Sequence, residues 1–91
     1  MKINIYEVNN ETESQGKLLG VVKFIAQKLS VDSPYKILDD IVDLAYKKAV
    51  NGNGNGKHYR QMTVHQFSIA DFIEALGTQT WKNGMVMEIA E

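Results

Sequence analysis

Two histidines are the residues of this chain best suited to proton transfer or metal binding near neutral pH. His58 and His65 lie on a segment that we predict to be a strand. Their spacing of seven residues points them to opposite faces, because side chains alternate along a strand. The chain has no cysteine, and no further ligands cluster at zinc spacing. We therefore expect no metal site.

Three aspartates, Asp39, Asp40 and Asp43, form the densest group of carboxylates. They fall on the polar face of a predicted helix, where Lys36 precedes Asp40 and Asp43 precedes Lys47 by four residues. Catalytic carboxylates usually need a pocket that shifts their pKa values. Nothing in this pattern predicts such a pocket, so we expect a solvated face.

The serines show no pattern of an activated nucleophile. Ser14, Ser33 and Ser68 each precede a predicted helix, and we interpret them as caps. No G-x-S-x-G motif surrounds any serine. We therefore expect that the protein is not an enzyme and needs no cofactor.

A basic stretch contains the Asn/Gly repeat at 51–56, the only low-complexity segment. Asparagine and glycine tolerate positive φ, so we predict a flexible loop. Gly56 and Lys57 resemble the end of a P-loop, but His58 stands where Ser or Thr is required. Loop amides with flanking basic residues would still suit an anion or a nucleic acid, with a tyrosine for base stacking. This alternative site comprises Lys47, Lys48, Lys57, Tyr59 and Arg60.

Periodicity and turn signals predict one small α+β domain over residues 1–91. The predicted order is βααβαββ, with helices packed on one face of a largely antiparallel sheet and a C-terminal β-hairpin. The predicted elements are a strand at 2–8, a helix at 15–29, a helix from Ser33–Pro34 to Asn51–Gly52, a strand at 58–66, a helix from Ser68 to Gly77, and a hairpin of 78–82 with 85–89.

The helix predicted at 15–29 leaves Phe24 outside its apolar stripe. Gly20 within this helix costs about 1 kcal/mol relative to alanine, which indicates close approach of another element. The next helix has a clear buried stripe. Its predicted members are Ile37, Leu38, Ile41, Val42, Leu44, Ala45 and Ala49.

Asn83–Gly84 is a strong hairpin signal between two short runs. Pairing across this turn sets Trp81 opposite Val86 on the more polar face. The other face is the predicted core face and carries Met85, Met87 and Ile89. Exposed tryptophan and phenylalanine often anchor binding partners. We therefore predict partner-binding residues that comprise Trp81, Val86 and Phe24.

Composition sets the remaining limits. A chain of 91 residues with 44% hydrophobic and 23% charged residues is typical of a single globular domain. The formal net charge of −1 argues against a strong nucleic-acid binder. The first residues lack the apolar segment of a secretory signal, and no run approaches the roughly 18 apolar residues of a membrane helix. We expect a cytoplasmic protein without a membrane partner.

These observations predict a non-enzymatic protein that acts by stoichiometric protein–protein binding, as small inhibitors, immunity factors and phage-type accessory proteins do. A protein partner is expected, and a homo-oligomer would add to the modest core of a small domain. The alternative function is nucleic-acid or phosphate-ligand binding through the basic segment at 47–60. The salt dependence of binding separates the two, because phosphate contacts weaken steeply as salt rises.

Overall fold

The fold combines an antiparallel sheet with helices, within residues 1–9, 14–26, 28–50, 58–61 and 68–90 described by the computed structural model. In chain order the elements are β1 (Lys2–Asn9), β2 (Ser14–Ile25), β3 (Lys28–Asp32), α1 (Lys36–Ala49), a 3-10 turn (Tyr59–Gln61), α2 (Ile69–Lys82) and β4 (Met85–Ala90). The four strands pair in the order β3-β2-β1-β4. The last strand therefore lies beside the first, at one edge of the sheet.

The predicted α+β class with a largely antiparallel sheet is confirmed. The predicted order βααβαββ is wrong. The first predicted helix forms parts of two strands, and only the second half of the predicted hairpin is a strand, since its first half belongs to α2. The strand predicted at 58–66 is wrong at residues 59–61, which form the 3-10 turn. Residues 62–67 lie outside the described residues, as does the Asn/Gly segment at 51–56, so the flexible loop stays a prediction.

The segment at 15–29 forms most of β2 and the start of β3 rather than a helix. Its apolar residues fit a helical stripe, but the run at 21–25 is rich in the β-branched and aromatic residues that strands favour. β2 pairs with β1 in antiparallel register, with Val22 opposite Ile3. Ala26, whose φ is 53°, occupies the turn towards β3. Pairing with β1 therefore decides between two structures that the local sequence allows.

Gly20 allows the chain entering α1 to pass close to β2. A Cβ atom at this position would lie 2.6 Å from Cβ of Ser33 and 3.0 Å from Cδ1 of Leu38. Ser33 is fixed there, since its hydroxyl donates to the carbonyl of Leu19 at 2.8 Å and accepts from the N–H of Tyr35 at 3.1 Å. The close approach predicted for Gly20 is confirmed, although the glycine lies in a strand.

The core lies between one face of the sheet and the helices. Ile3 and Ile5, which share a face of β1 as predicted, are buried. Val22 continues this face on β2. The helices contribute the other side of the core with Leu38, Ile41, Val42, Ala45, Tyr46, Phe72 and Leu76. In the part of the chain that the structure describes, every buried side-chain nitrogen or oxygen has a hydrogen-bond partner.

α1 has Tyr35 rather than the predicted Ser33 as its N-cap. Ile41 is buried as predicted, with 3% of its surface exposed. The buried face also includes Tyr46, whose ring meets the ring of Tyr59 edge to face at 6.5 Å between centroids. This orientation leaves two members of the predicted stripe exposed, Ile37 and Leu44.

α2 begins as predicted but ends later. Ser68 caps the helix, because its Oγ accepts a hydrogen bond from the N–H of Asp71. The predicted end at Gly77 is wrong, since the helix continues through the predicted strand at 78–82. Gly84, at φ 70°, follows the last turn. A glycine with positive φ terminates a helix as readily as it forms a hairpin turn, so the Asn-Gly signal has two meanings.

Candidate functional site

Trp81 is the most exposed of the large hydrophobic side chains that the structure describes. It lies on the last turn of α2 with 79% of its surface exposed. The sequence predicts this exposure, although from a hairpin that is a helix in the structure. A tryptophan in water contributes little to folding and is a frequent anchor for a partner.

α2 and β4 lie against each other, because the chain reverses at Gly84. A Cβ atom on Gly77 would lie 3.3 Å from Cε of Met87, so Gly77 marks the side of α2 that meets β4. At about 100° per residue, Ala70 and Trp81 lie within about 40° of Gly77 around the helix axis. Trp81 therefore lies on the side of α2 that faces the edge strand.

β4 directs one row of backbone groups away from the sheet. The N–H of Val8 donates to the carbonyl oxygen of Gly84. The register continues with Tyr6 opposite Val86. Because hydrogen-bonding directions alternate along an antiparallel strand, the backbones of Val86 and Glu88 bond to β1. The residues between them direct N–H and C=O groups outward: Met85, Met87 and Ile89.

We call the exposed side of α2, together with the edge of β4 that pairs with no other described strand, the α2–β4 surface. Ile89 adds a second exposed apolar side chain, with 49% of its surface exposed. An edge strand without lysine, proline or a bulge is a ready template for another strand. On α2 the surface comprises Ala70, Gly77 and Trp81. On β4 it comprises the outward-directed backbone groups of Met85, Met87 and Ile89 and the exposed side chain of Ile89, whereas the side chain of Met85 is buried.

The other residues predicted to bind a partner lie elsewhere on the sheet. Val86 is half-buried opposite Tyr6, on the face away from Met87 as predicted. Phe24 lies opposite Leu29 and packs, partly buried, against the core. The helical interpretation places Phe24 outside the apolar stripe, whereas in the strand β2 its side chain lies on the core face. The three predicted residues therefore do not share one face.

Basic residues of the predicted anion site are paired with carboxylates of α1. Nζ of Lys47 lies 2.9 Å from Oδ2 of Asp43, and Nη2 of Arg60 lies 2.9 Å from Oδ1 of Asp39. Lys48 is exposed beside an open groove between α1 and α2. These contacts offset the charge of Lys47 and of Arg60.

Tyr59, predicted to stack on a base, is 1% exposed and belongs to the core. Its ring packs against Tyr46 and lies 4.5 Å from the ring of His58. Lys57 lies outside the described residues. The structure therefore does not bring the predicted anion-binding residues together on one exposed surface in the part that it describes.

A polar cluster on α1 joins residues that the sequence treats separately. Oδ1 of Asp39 accepts a hydrogen bond from the hydroxyl of Tyr59 at 2.5 Å. Oδ2 of Asp39 lies 3.2 Å from Nε2 of His58. Oδ1 of Asp43 accepts from the N–H of Tyr59 at 3.0 Å. Together with the ion pair of Arg60, these contacts hold residues 58–60 against α1.

The electrostatics of the cluster keep Asp39 ionised and Tyr59 neutral. Burial raises the pKa of Asp39, but the hydrogen bond from Tyr59 and the charge of Arg60 outweigh it, so the pKa of Asp39 is lowered. Burial and the hydrogen bond to Asp39 raise the pKa of Tyr59 to about 12. The tyrosine thus acts as a permanent donor at neutral pH, which suits an anchoring role.

Sequence reasoning misses this cluster because Asp39 and Tyr59 are 20 residues apart. One local signal is present. Asp40 and Asp43 each have a lysine four residues away, and the structure shows both pairs, with Lys36 and Lys47. Asp39 has no basic residue four positions away. A carboxylate without a lysine partner on its own helix is therefore the one that binds Tyr59 and Arg60.

The described ranges contain no group of three or more His, Cys, Asp or Glu residues close enough to hold a metal ion. Neither helix within these ranges has the length and apolar character required to cross a membrane.

Comparisons with known protein families, curated proteins and solved structures found no match.

Proposed function

We propose that the protein acts by stoichiometric protein–protein binding through the α2–β4 surface, without catalysis. The observation that carries this proposal is the exposure of Trp81, at 79%, on the α2–β4 surface. This surface then offers an exposed aromatic side chain and a row of outward-directed backbone groups. Small inhibitors, immunity factors and phage-type accessory proteins act in this stoichiometric way.

The two halves of the α2–β4 surface would contribute differently to binding. Strand pairing at Met85, Met87 and Ile89 supplies backbone hydrogen bonds, which give affinity with little sequence selectivity. Trp81 supplies apolar area, and buried tryptophans of this kind often carry about 2 kcal/mol or more of binding energy. Affinity and selectivity then come from adjacent elements.

The test captures partners from a lysate of the source organism on immobilised protein, followed by mass spectrometry. Wild type is compared with Trp81→Ala and with Leu44→Ala, a matched loss of an exposed apolar residue on α1. We expect wild type and Leu44→Ala to retain the same partner, and Trp81→Ala to weaken it by roughly thirtyfold or more. An unchanged partner set for Trp81→Ala would overturn the proposal.

The alternative, nucleic-acid or phosphate-ligand binding by Lys47, Lys48, Lys57, Tyr59 and Arg60, has less support. Lys47 and Arg60 are engaged by carboxylates, and Tyr59 is buried. A salt titration of binding to generic nucleic acid tests this alternative directly. Affinity that falls steeply with salt would favour it over an apolar interface.

A further inference from the structure

We propose that the α2–β4 surface binds a second copy of this chain, so that two β4 strands pair antiparallel and join two sheets into one. The inference rests on the proposed function, because it names the partner of the same surface. It goes further in fixing the register of the contact. The symmetry is a two-fold axis perpendicular to the sheet, which passes midway between Met87 of one copy and Met87 of the other.

The free backbone groups determine this register. The residues of β4 that direct N–H and C=O groups outward are Met85, Met87 and Ile89. With Met87 opposite its own copy, Met85 falls opposite Ile89 of the second copy. Every outward N–H and C=O of the three residues then has a partner. The side chains of Met85, Met87 and Ile89 lie on the face of β4 away from Val86. Ile89 of one copy, which is half-exposed, therefore lies next to Met85 of the other copy.

Repulsion between glutamates favours the register centred on Met87 over the register centred on Glu88. Centring on Met87 places Glu88 of one copy opposite Val86 of the other. Moving the axis to Glu88 would place two glutamates directly opposite each other, and like charges in that position are destabilising. β4 has no other charged residue within its bounds, so the centred register leaves no repulsion between the strands.

The two α2 helices would run antiparallel on either side of the axis, because each helix lies against its own β4 and the two β4 strands are antiparallel. Gly77 and Ala70, both small, lie on the side of α2 that meets the edge strand. Trp81 then faces the first half of the second copy's helix.

Sedimentation equilibrium of the full chain tests the dimer. We expect wild type to associate into dimers. Ile89→Lys adds a charge at the pairing edge and should raise the dimer dissociation constant by about tenfold or more. Ile25→Lys is the matched control, since Ile25 is an exposed isoleucine at the end of β2, and it should leave the constant unchanged. A wild type that stays monomeric, or equal effects of both variants, would overturn the inference.

Cysteine cross-linking tests the register, and the chain has no native cysteine to interfere. Met87→Cys should form an intermolecular disulfide on oxidation, because residues directly opposite in a hydrogen-bonded pair have Cα atoms about 5.5 Å apart. Glu88→Cys should not, because its two copies would be diagonal neighbours about 7–8 Å apart. Cross-linking of Glu88→Cys alone would overturn the register centred on Met87.

The two proposals fail in different ways. If the chain is monomeric and Trp81→Ala still loses a partner captured from the lysate, the second copy is wrong and the proposed function stands. If Met87→Cys cross-links but Trp81→Ala changes neither dimerisation nor capture, the strand pairing stands and the anchoring role of Trp81 is wrong. Circular dichroism of each variant establishes that the fold is retained before either result is interpreted.

Discussion

Tyr59 donates its hydroxyl hydrogen to Oδ1 of Asp39 across 2.5 Å, which ties a short turn to the first half of α1. The tyrosine ring is buried, whereas the carboxylate is held at the edge of the core with Arg60. This bond helps to fix the turn at 59–61 against α1. It acts together with the bond from the N–H of Tyr59 to Asp43 and the ion pair of Arg60 with Asp39.

Tyr59→Phe should lower the free energy of unfolding by about 1.5 kcal/mol. This value is at the low end for hydrogen bonds to charged groups, because Arg60 and His58 still contact Asp39 in the variant. Urea denaturation measures the change. Tyr35→Phe is the control, since the hydroxyl of Tyr35 is exposed and meets only Lys17 in the described contacts. Equal losses for both variants would contradict an anchoring role for Tyr59.

Alkaline pH should remove the contribution of Tyr59 in a defined window. The pKa of Tyr59 is about 12 in the folded chain, above the value of about 10 in an unfolded chain. Its stabilisation is therefore complete below pH of about 10 and is lost as the pH rises through about 12. The stability difference between wild type and Tyr59→Phe should shrink across this window in urea titrations. A difference that stays constant would show that Tyr59 ionises as an ordinary tyrosine.

Gly20→Ala should destabilise the fold by about 1–3 kcal/mol, the usual cost of overpacking. The added Cβ would meet Cβ of Ser33 at 2.6 Å, and neither atom can move without shifting the backbone. Gly77→Ala is the matched comparison, because its Cβ would meet only the flexible end of Met87 at 3.3 Å. Removing a glycine from a helix gains up to about 1 kcal/mol. Thermal unfolding should therefore move in opposite directions for the two variants.

Ile41→Ala should cost about 2–5 kcal/mol, the range for truncating a buried isoleucine. Ile41 is 3% exposed and lies in the core. Leu44→Ala, three residues further along α1, removes a side chain that is 47% exposed and should change stability by no more than about 0.5 kcal/mol. Chemical denaturation of both variants checks the orientation of the helix. A comparable loss for Leu44→Ala would mean that this side of α1 is covered.

Several elements could be predicted because their signals are local. Alternation places Ile3 and Ile5 on one face of β1, and the structure shows that this face is buried. The stripe of α1 identifies Ile41 as core, and Ser68 is identified as a cap because its side chain reaches a backbone N–H three residues away. In each case the residues that interact lie within a few positions of one another.

Other elements could not be predicted, because two structures fit the same local sequence. The segment at 15–29 fits a helical stripe and a pair of strands, and only the hydrogen bonds offered by β1 favour the strands. Asn83–Gly84 suits both a hairpin turn and a helix end. Packing of Phe72, Leu76 and Thr80 into the core extends α2 up to this pair, so the tertiary contacts select the helix end.

The sequence by itself determined the α+β class, the shared face of Ile3 and Ile5 and the burial of Ile41, but it predicted an exposed Trp81 from a hairpin that is a helix in the structure. Only the tertiary structure decided what lies next to Trp81, because that depends on β4 pairing with β1 at the opposite end of the chain. The contact between Asp39 and Tyr59 has the same origin, since packing of the turn at 59–61 against α1 brings them together. Local sequence patterns indicate which side chains are buried, whereas pairing between distant segments determines which side chains contact each other.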